Sequence, residues 1–134
     1  PAPCNAAKFI TDVTVPDGMR VKVGEKFTKI WRIQNIGACS WTPEYALVLT
    51  WGNAFGIEPP VWFDQIIKPG ETYDIIMNME APYLPACWQG NWLLQDPEGL
   101  RFGVGSNFTI SLHVMVSVFL PRFGGFLQDP CKSE

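Results

Sequence analysis

The sequence predicts an all-β fold, built as an antiparallel β-sandwich. Hydrophobic residues alternate with a period of two in several short segments, and helical periodicity is hard to find. Gly and Pro, 12 of each, punctuate these segments about every ten residues. Roughly seven to eight short strands in one domain are typical of immunoglobulin-like architecture. At 134 residues the chain is long enough for one domain with a core and too short for two.

The first three predicted strands each end at turn residues. Residues 7–15 end at the turn Pro16-Asp17-Gly18. Residues 26–34 carry apolar side chains on both faces, and residues 45–51 alternate before Gly52-Asn53. We expect these segments to supply the first half of the sandwich.

The second half follows the same rules. A short strand is expected within residues 61–67, where Pro59 and Pro60 suit a sheet edge. Residues 72–80 and 88–95 alternate regularly. A last strand or strand pair covers residues 100–102 and 107–118, with Phe108, Ile110, Leu112, Val114 and Val116 facing one way.

Composition and charge exclude several classes of function. The formal net charge is −3 and Lys and Arg do not cluster, so nucleic acid is not an expected partner. The longest apolar stretch, residues 112–120, is far shorter than the ~20 residues that span a bilayer, so this segment does not insert into a membrane. An aromatic content of 13% excludes disorder.

The four cysteines are Cys4, Cys39, Cys87 and Cys131. They are scattered and only one His accompanies them, so no metal site is predicted. An even number in a small acidic chain favours two disulfides at the periphery and an extracytoplasmic, secreted or cell-surface setting. The residues do not choose the pairing, and buried thiols in a cytoplasmic domain are the alternative.

Residues 1–118 are expected to form the domain, with residues 1–5 as the end of a Pro-rich linker. Residues 119–134 are expected to be an apolar extension that packs on the domain. Its apolar residues are Phe119, Leu120, Phe123, Phe126 and Leu127, and Cys131 would hold it in place.

Catalytic chemistry has little support in the sequence. His113 is the only His, and it lies beside Ser111 within a predicted strand, where a half-exposed structural histidine is expected rather than a catalytic base. We therefore predict no catalytic residues, no cofactor and no enzymatic activity.

The aromatic residues are the positive feature. Trp31 and Trp92 lie mid-strand among apolar neighbours and are expected in the core. A candidate binding surface for a peptide strand or a sugar ring is formed by Trp51, Trp62, Trp88, Tyr83 and Phe55, with Asn53, Gln89 and Asn91 as polar partners. Alternatively, these aromatic residues cap the ends of the sandwich.

An ordered series of motifs adds a family resemblance. The motifs are FITDVTVPDG (9–18), FTKIWRIQN (27–35), GACSW (37–41), LVLTWGN (47–53), KPGE (68–71), AP (81–82) and GNWLLQDPEGLRFG (90–103). Over residues 4–117 the chain resembles the four-tryptophan (FW) domain. This is the Ig-like central domain of the neighbour-of-breast-cancer-gene autophagy receptor family, which also occurs in bacterial, notably Chloroflexi-type, surface proteins.

The resemblance implies several residue roles. Trp31, Trp41 and Trp92 match the family's signature tryptophans, and Phe108 takes the fourth place. Cys4 and Cys39 are similar to a pair in the secreted bacterial branch, and we favour the pairings Cys4–Cys39 and Cys87–Cys131. The implied function is a non-catalytic, extracytoplasmic module that binds protein or peptide partners. A carbohydrate-binding module and a structural spacer are the alternatives.

Overall fold

A computed structural model describes residues 2–121 and 129–132. The described chain contains the strands β1 (Ala7–Asp12), β2 (Met19–Lys22), β3 (Lys26–Asn35), β4 (Ala46–Gly52), β5 (Val61–Trp62), β6 (Thr72–Glu80), β7 (Ala86–Gln95), β8 (Arg101–Phe102) and β9 (Leu112–Phe119). They form two sheets that enclose one core, which confirms the all-β, Ig-like sandwich.

The smaller sheet has the order β1-β3-β6, and the six-stranded sheet has the order β2-β9-β7-β4-β5, with β8 paired to β7. Neighbouring strands are antiparallel in every described pair except β2–β9, which is parallel. The sequence-based expectation of a purely antiparallel sandwich misses this pair. β2 is not among the predicted strands: its Met-Arg-Val-Lys sequence alternates, but over only four residues, and only Val21 is fully buried.

The core follows the period-two pattern of the long strands. β6 buries Tyr73, Ile75, Met77 and Met79, and exposes or half-exposes the residues between them. Trp31, Trp41 and Trp92 are buried between the sheets, and Trp41 packs against Phe63 and Phe102. The expectation that Trp31 and Trp92 lie in the core is confirmed, and Trp41, for which burial was not expected, is buried as well.

The predicted strand over residues 7–15 ends at Asp12 in the structure, and two other predicted strands are also shorter. Residues 61–67 form only the two-residue β5, followed by an isolated bridge between Ile67 and Trp41. The last strand begins at Leu112, so the prediction that Phe108 and Ile110 belong to it is wrong. Phe108 has φ = 56° and lies half-buried in a turn in which its N–H donates to the carbonyl of Gly105. A positive φ breaks the alternation that the apolar residues alone indicate.

Both favoured cysteine pairings are present. Cys4 is bonded to Cys39 and Cys87 to Cys131, at the periphery of the sandwich as expected. Near Cys131, Asp129 accepts a hydrogen bond from Ser117, which also accepts one from the Cys131 N–H. The predicted apolar residues Phe123, Phe126 and Leu127 lie outside the described residues, so packing of the extension stays a prediction.

The buried tryptophans allow a matched comparison of indole hydrogen bonding. The Trp31 indole N–H donates to the His113 carbonyl at 2.9 Å, whereas the Trp92 indole N–H has no partner among the described residues. We expect Trp31→Phe to lower the free energy of unfolding by about 1–2 kcal/mol more than Trp92→Phe, because only the former leaves a carbonyl without its donor. Urea unfolding of both variants measures the difference, and equal losses would contradict the assignment.

Candidate functional site

Trp51 and Trp62 lie on the same outer face of the six-stranded sheet. Their side chains are 64% and 59% exposed. Trp62 pairs with Ala46, and Trp51 pairs with Asn91 beyond a bulge in β4. The bulge places one extra residue between Leu49 and Trp51, which brings Trp51 to the face that Ala46 and Val48 share. The two indoles therefore mark one surface, roughly 15 Å apart along β4.

Trp62 also lies at the edge of a groove. The groove runs between β5, at the edge of the six-stranded sheet, and β6, at the edge of the three-stranded sheet. It contains a cavity of about 90 Å³. Its lining combines Leu47, Val61, Trp62, Phe63, Tyr73, Ile75 and Ile76 with the acidic residues Asp64 and Asp74. We call this feature the β5–β6 groove.

The charge of the groove is negative. The Tyr73 hydroxyl donates to Asp64 at 3.0 Å, and burial, with the hydrogen bond to Asp64 and its charge, raises the pKa of Tyr73 to about 12. Asp74 accepts two bonds from Arg32, at 2.7 and 3.0 Å, and this contact lowers the pKa of Asp74. The lowered pKa keeps Asp74 charged at neutral pH. Arg32 is the cationic partner of Asp74, whereas Asp64 has no cationic partner among the described residues.

Tyr83 and Trp88 lie at a separate place, around the loop between β6 and β7. Tyr83 is exposed, donates to Glu80 at 2.9 Å, and lies so close to Gly24 that any side chain there would collide with its ring. Trp88 points toward the core side of β7, packs partly against the core and donates to the Leu84 carbonyl at 2.8 Å. The structure therefore does not join these two residues to Trp51 and Trp62.

Phe55 does not belong to any exposed surface. It is 1% exposed and packs edge-on against Phe27. Its φ of 52° turns the loop inward, a conformation that the sequence pattern does not reveal. The expectation that Phe55 contributes to a binding surface is therefore wrong.

The polar residues beside these aromatics bond to the protein itself. Gln89 donates to Asn91 at 3.0 Å, and Asn91 donates to Ser111 at 3.0 Å. Asn53 accepts from the Phe55 N–H at 2.7 Å. These contacts leave fewer amide groups free for the hydroxyls of a sugar.

His113 is half-exposed on β9, and its Nε2 lies 2.8 Å from the Asp17 carboxylate. Within residues 2–121 and 129–132, no group of three or more His, Cys, Asp and Glu side chains is placed to hold a metal ion. The same residues contain no helix long and apolar enough to cross a membrane.

Sequence reasoning missed the groove residues Val61, Asp64 and Tyr73. They come from different strands and loops, so no local motif unites them. Residues 72–80 lack Lys and Pro, which often protect edge strands, but this composition alone does not show that the strand lies at a sheet edge.

Fold and site together define the class as an Ig-like β-sandwich with an exposed aromatic surface. Residues 14–116 match the family model described as the Ig-like domain from next to BRCA1 gene. The chain therefore belongs to this family of Ig-like domains.

Relatives in animals and plants share this region. Protein ILRUN of Danio rerio is 37% identical over 95 residues, which cover 71% of this chain and 33% of that protein. The Protein NBR1 homolog of Arabidopsis thaliana is 30% identical over 116 residues, 84% of this chain and 16% of that protein. The human Next to BRCA1 gene 1 protein is 30% identical over 103 residues, 75% and 10% respectively. The chain thus spans a third or less of the length of these relatives.

A solved structure with the same fold is the CARDB domain of a Pyrococcus furiosus protein. Its TM-score is 0.54 at 16% identity, and the alignment covers 89% of this chain and 97% of that domain. This similarity concerns the fold alone.

Proposed function

We propose that this domain is a non-catalytic module that binds a protein or peptide partner. The observation that carries the proposal is the exposure of Trp51 and Trp62 on one face of the six-stranded sheet. Trp is enriched among the residues that dominate binding energy in protein interfaces, because it buries a large area and loses little side-chain entropy.

The setting that we propose is extracytoplasmic, in the secreted bacterial branch of the family. The bonds Cys4–Cys39 and Cys87–Cys131 support it, since structural disulfides persist mainly in oxidising compartments. Peptide mapping of the native protein under non-reducing conditions tests this setting. Free thiols at all four positions would contradict it.

The two exposed tryptophans should each contribute strongly to partner binding. We expect Trp51→Ala and Trp62→Ala each to weaken partner binding about tenfold or more, because truncation of an interface Trp removes most of its contact area. The immobilised domain is used to capture partners from an extract of the source organism. A captured protein is then purified and titrated against each variant by calorimetry.

Ile110→Ala is the matched control, since Ile110 is another large exposed apolar residue but lies on a loop away from β4 and β5. All three variants should keep the wild-type unfolding midpoint, because the changed side chains are exposed. Unchanged affinity in both tryptophan variants would overturn the proposed surface. Binding to a glycan array that depends on the same tryptophans would favour the carbohydrate alternative.

A further inference from the structure

β6 is the long unprotected edge of the described sandwich. It has nine residues and pairs with β3 on one side only. Its pairing with β3 runs from Lys26↔Glu80 to Gln34↔Thr72 without an irregularity. The other described edges are protected by a bulge in β1 and by the shortness of β2 and β5.

The hydrogen bonds show which backbone groups of β6 face outward. Ile30 pairs with Ile76, yet the Ile30 carbonyl accepts from Val13 and its N–H donates to Thr14, both on the β1 side. Ile30 and Ile76 are therefore a non-hydrogen-bonded pair, and the N–H and C=O of Ile76 point away from β3.

The same alternation applies to every second residue of β6. The Glu80 N–H confirms it, because it donates outward to the Phe55 carbonyl at 2.9 Å. Asp74, Ile76 and Asn78 thus present N–H and C=O groups to the free edge. Among the described residues these groups have no backbone partner.

The β5–β6 groove lies directly beside this edge. A strand added to β6 alternates its side chains between the outer face and the gap between the sheets. The cavity of about 90 Å³ lies in that gap and is lined there by Leu47, Val61 and Ile75. Its size and apolar lining suit a branched aliphatic side chain. On the outer face, Asp74 and Ile76 would lie next to the added strand.

The acidic residues of the β5–β6 groove indicate which kind of partner segment would bind to β6. Asp64 is exposed at the rim of the groove, and Asp74 lines it. The only cationic contact that these carboxylates make among the described residues is Arg32 on Asp74. A segment with Lys or Arg at alternate positions meets this charge favourably, and an acidic segment is repelled.

We propose that β6 binds an extended partner segment as an additional antiparallel or parallel strand, with aliphatic residues facing the β5–β6 groove and basic residues facing outward. This inference rests on the proposed function and specifies how the partner binds. Backbone hydrogen bonds supply the affinity and the groove supplies the side-chain preference.

The probe is a capped nine-residue peptide of alternating Lys and Val, titrated into ¹⁵N-labelled protein. We expect the amides of Asp74, Ile76 and Asn78 to shift and to become protected from hydrogen exchange. The amides of Ile75 and Met77, which face β3, should be protected with or without peptide. A Glu–Val peptide should bind at least about tenfold more weakly, and so should a Lys–Val peptide N-methylated at alternate residues.

Two variants at one position isolate the backbone contact. Ile76→Pro removes the outward N–H, which an edge strand tolerates, whereas Ile76→Ala keeps it. We expect about a tenfold loss of affinity for the proline variant and little loss for the alanine variant. If the proline variant does not fold, Asp64→Asn and the N-methylated peptide still test the proposal, because neither changes the backbone of β6.

Several results would overturn the proposal. One is that the peptide changes the amide chemical shifts only of Trp51 and its neighbours. Another is that the N-methylated peptide binds with the same affinity as the unmethylated one. A third is that hydrogen-exchange protection of the outward β6 amides rises with protein concentration in the absence of peptide. The last result would indicate pairing with a second copy of the chain. If Trp51→Ala still weakens partner binding while the edge amides stay unprotected, the strand mode fails and the proposed function stands.

Discussion

Replacing Lys29 with methionine should lower the free energy of unfolding by about 3–5 kcal/mol. The Lys29 side chain is 0% exposed, and its ammonium lies 2.8 Å from the Asp12 carboxylate. The ammonium also donates to the carbonyls of Thr14 and Val15, at 3.2 and 2.8 Å. Methionine fills a similar volume but leaves all three acceptors without their donor.

The backbone at Val15 makes this loss larger. Val15 has φ = 52°, a conformation that β-branched residues rarely adopt, and the Lys29 contact helps to hold it. The Lys29 side chain on β3 therefore stabilises the position of the turn that follows β1. We expect the N-terminal edge of the smaller sheet to loosen first in the variant.

Urea unfolding of Lys29→Met measures the effect, with Lys26→Met as the matched control. Lys26 lies on the same strand but is exposed, so its replacement should change stability by no more than about 0.5 kcal/mol. Adding Asp12→Asn to Lys29→Met should recover part of the loss, because the uncompensated carboxylate is then neutral. Equal midpoints for the two lysine variants would show that the buried contact contributes nothing.

The strand face on which Lys29 lies can be predicted from the sequence, whereas its bonding partners cannot. The alternation of side chains along a strand puts Lys29 on the same face as Phe27, Trp31 and Ile33, and the structure buries all four residues. Period-two burial is a local property, so it can be read from neighbouring residues. The partners of Lys29 cannot be read this way, because the turn that supplies them folds over from β1.

The candidate site also combines features that the sequence indicates with features that only the three-dimensional fold shows. Exposure of Trp51 and Trp62 follows from their places near a strand end and in a short edge strand, which the sequence indicates. The burial of Phe55 depends on a backbone turn with positive φ, and the pairing of Trp62 with Ala46 depends on which strands become neighbours. Position at a sheet edge is a property of the whole topology, so the free edge of β6 becomes visible only in three dimensions.

Removing the Cys4–Cys39 bond should be the other large effect. The bonded residues are 35 apart in sequence, and a closed loop of this size is worth about 4 kcal/mol in the chain-entropy model. In Cys4→Ser/Cys39→Ser the folded contacts remain, since the Cys39 N–H donates to the Cys4 carbonyl and the Ala38 N–H donates to the Pro3 carbonyl. The loss therefore arises mainly in the unfolded chain, and urea unfolding should show a lower midpoint.

The second disulfide provides the matched comparison. Cys87 and Cys131 are 44 apart, so loop length alone predicts a similar loss for Cys87→Ser/Cys131→Ser. We expect a smaller one, because Asp129 and Cys131 contact the domain through Ser117 and can detach while both sheets stay paired. Equal losses would mean that the segment around Cys131 unfolds only with the sandwich. Wild-type stability in both double variants would mean that neither bond constrains the chain.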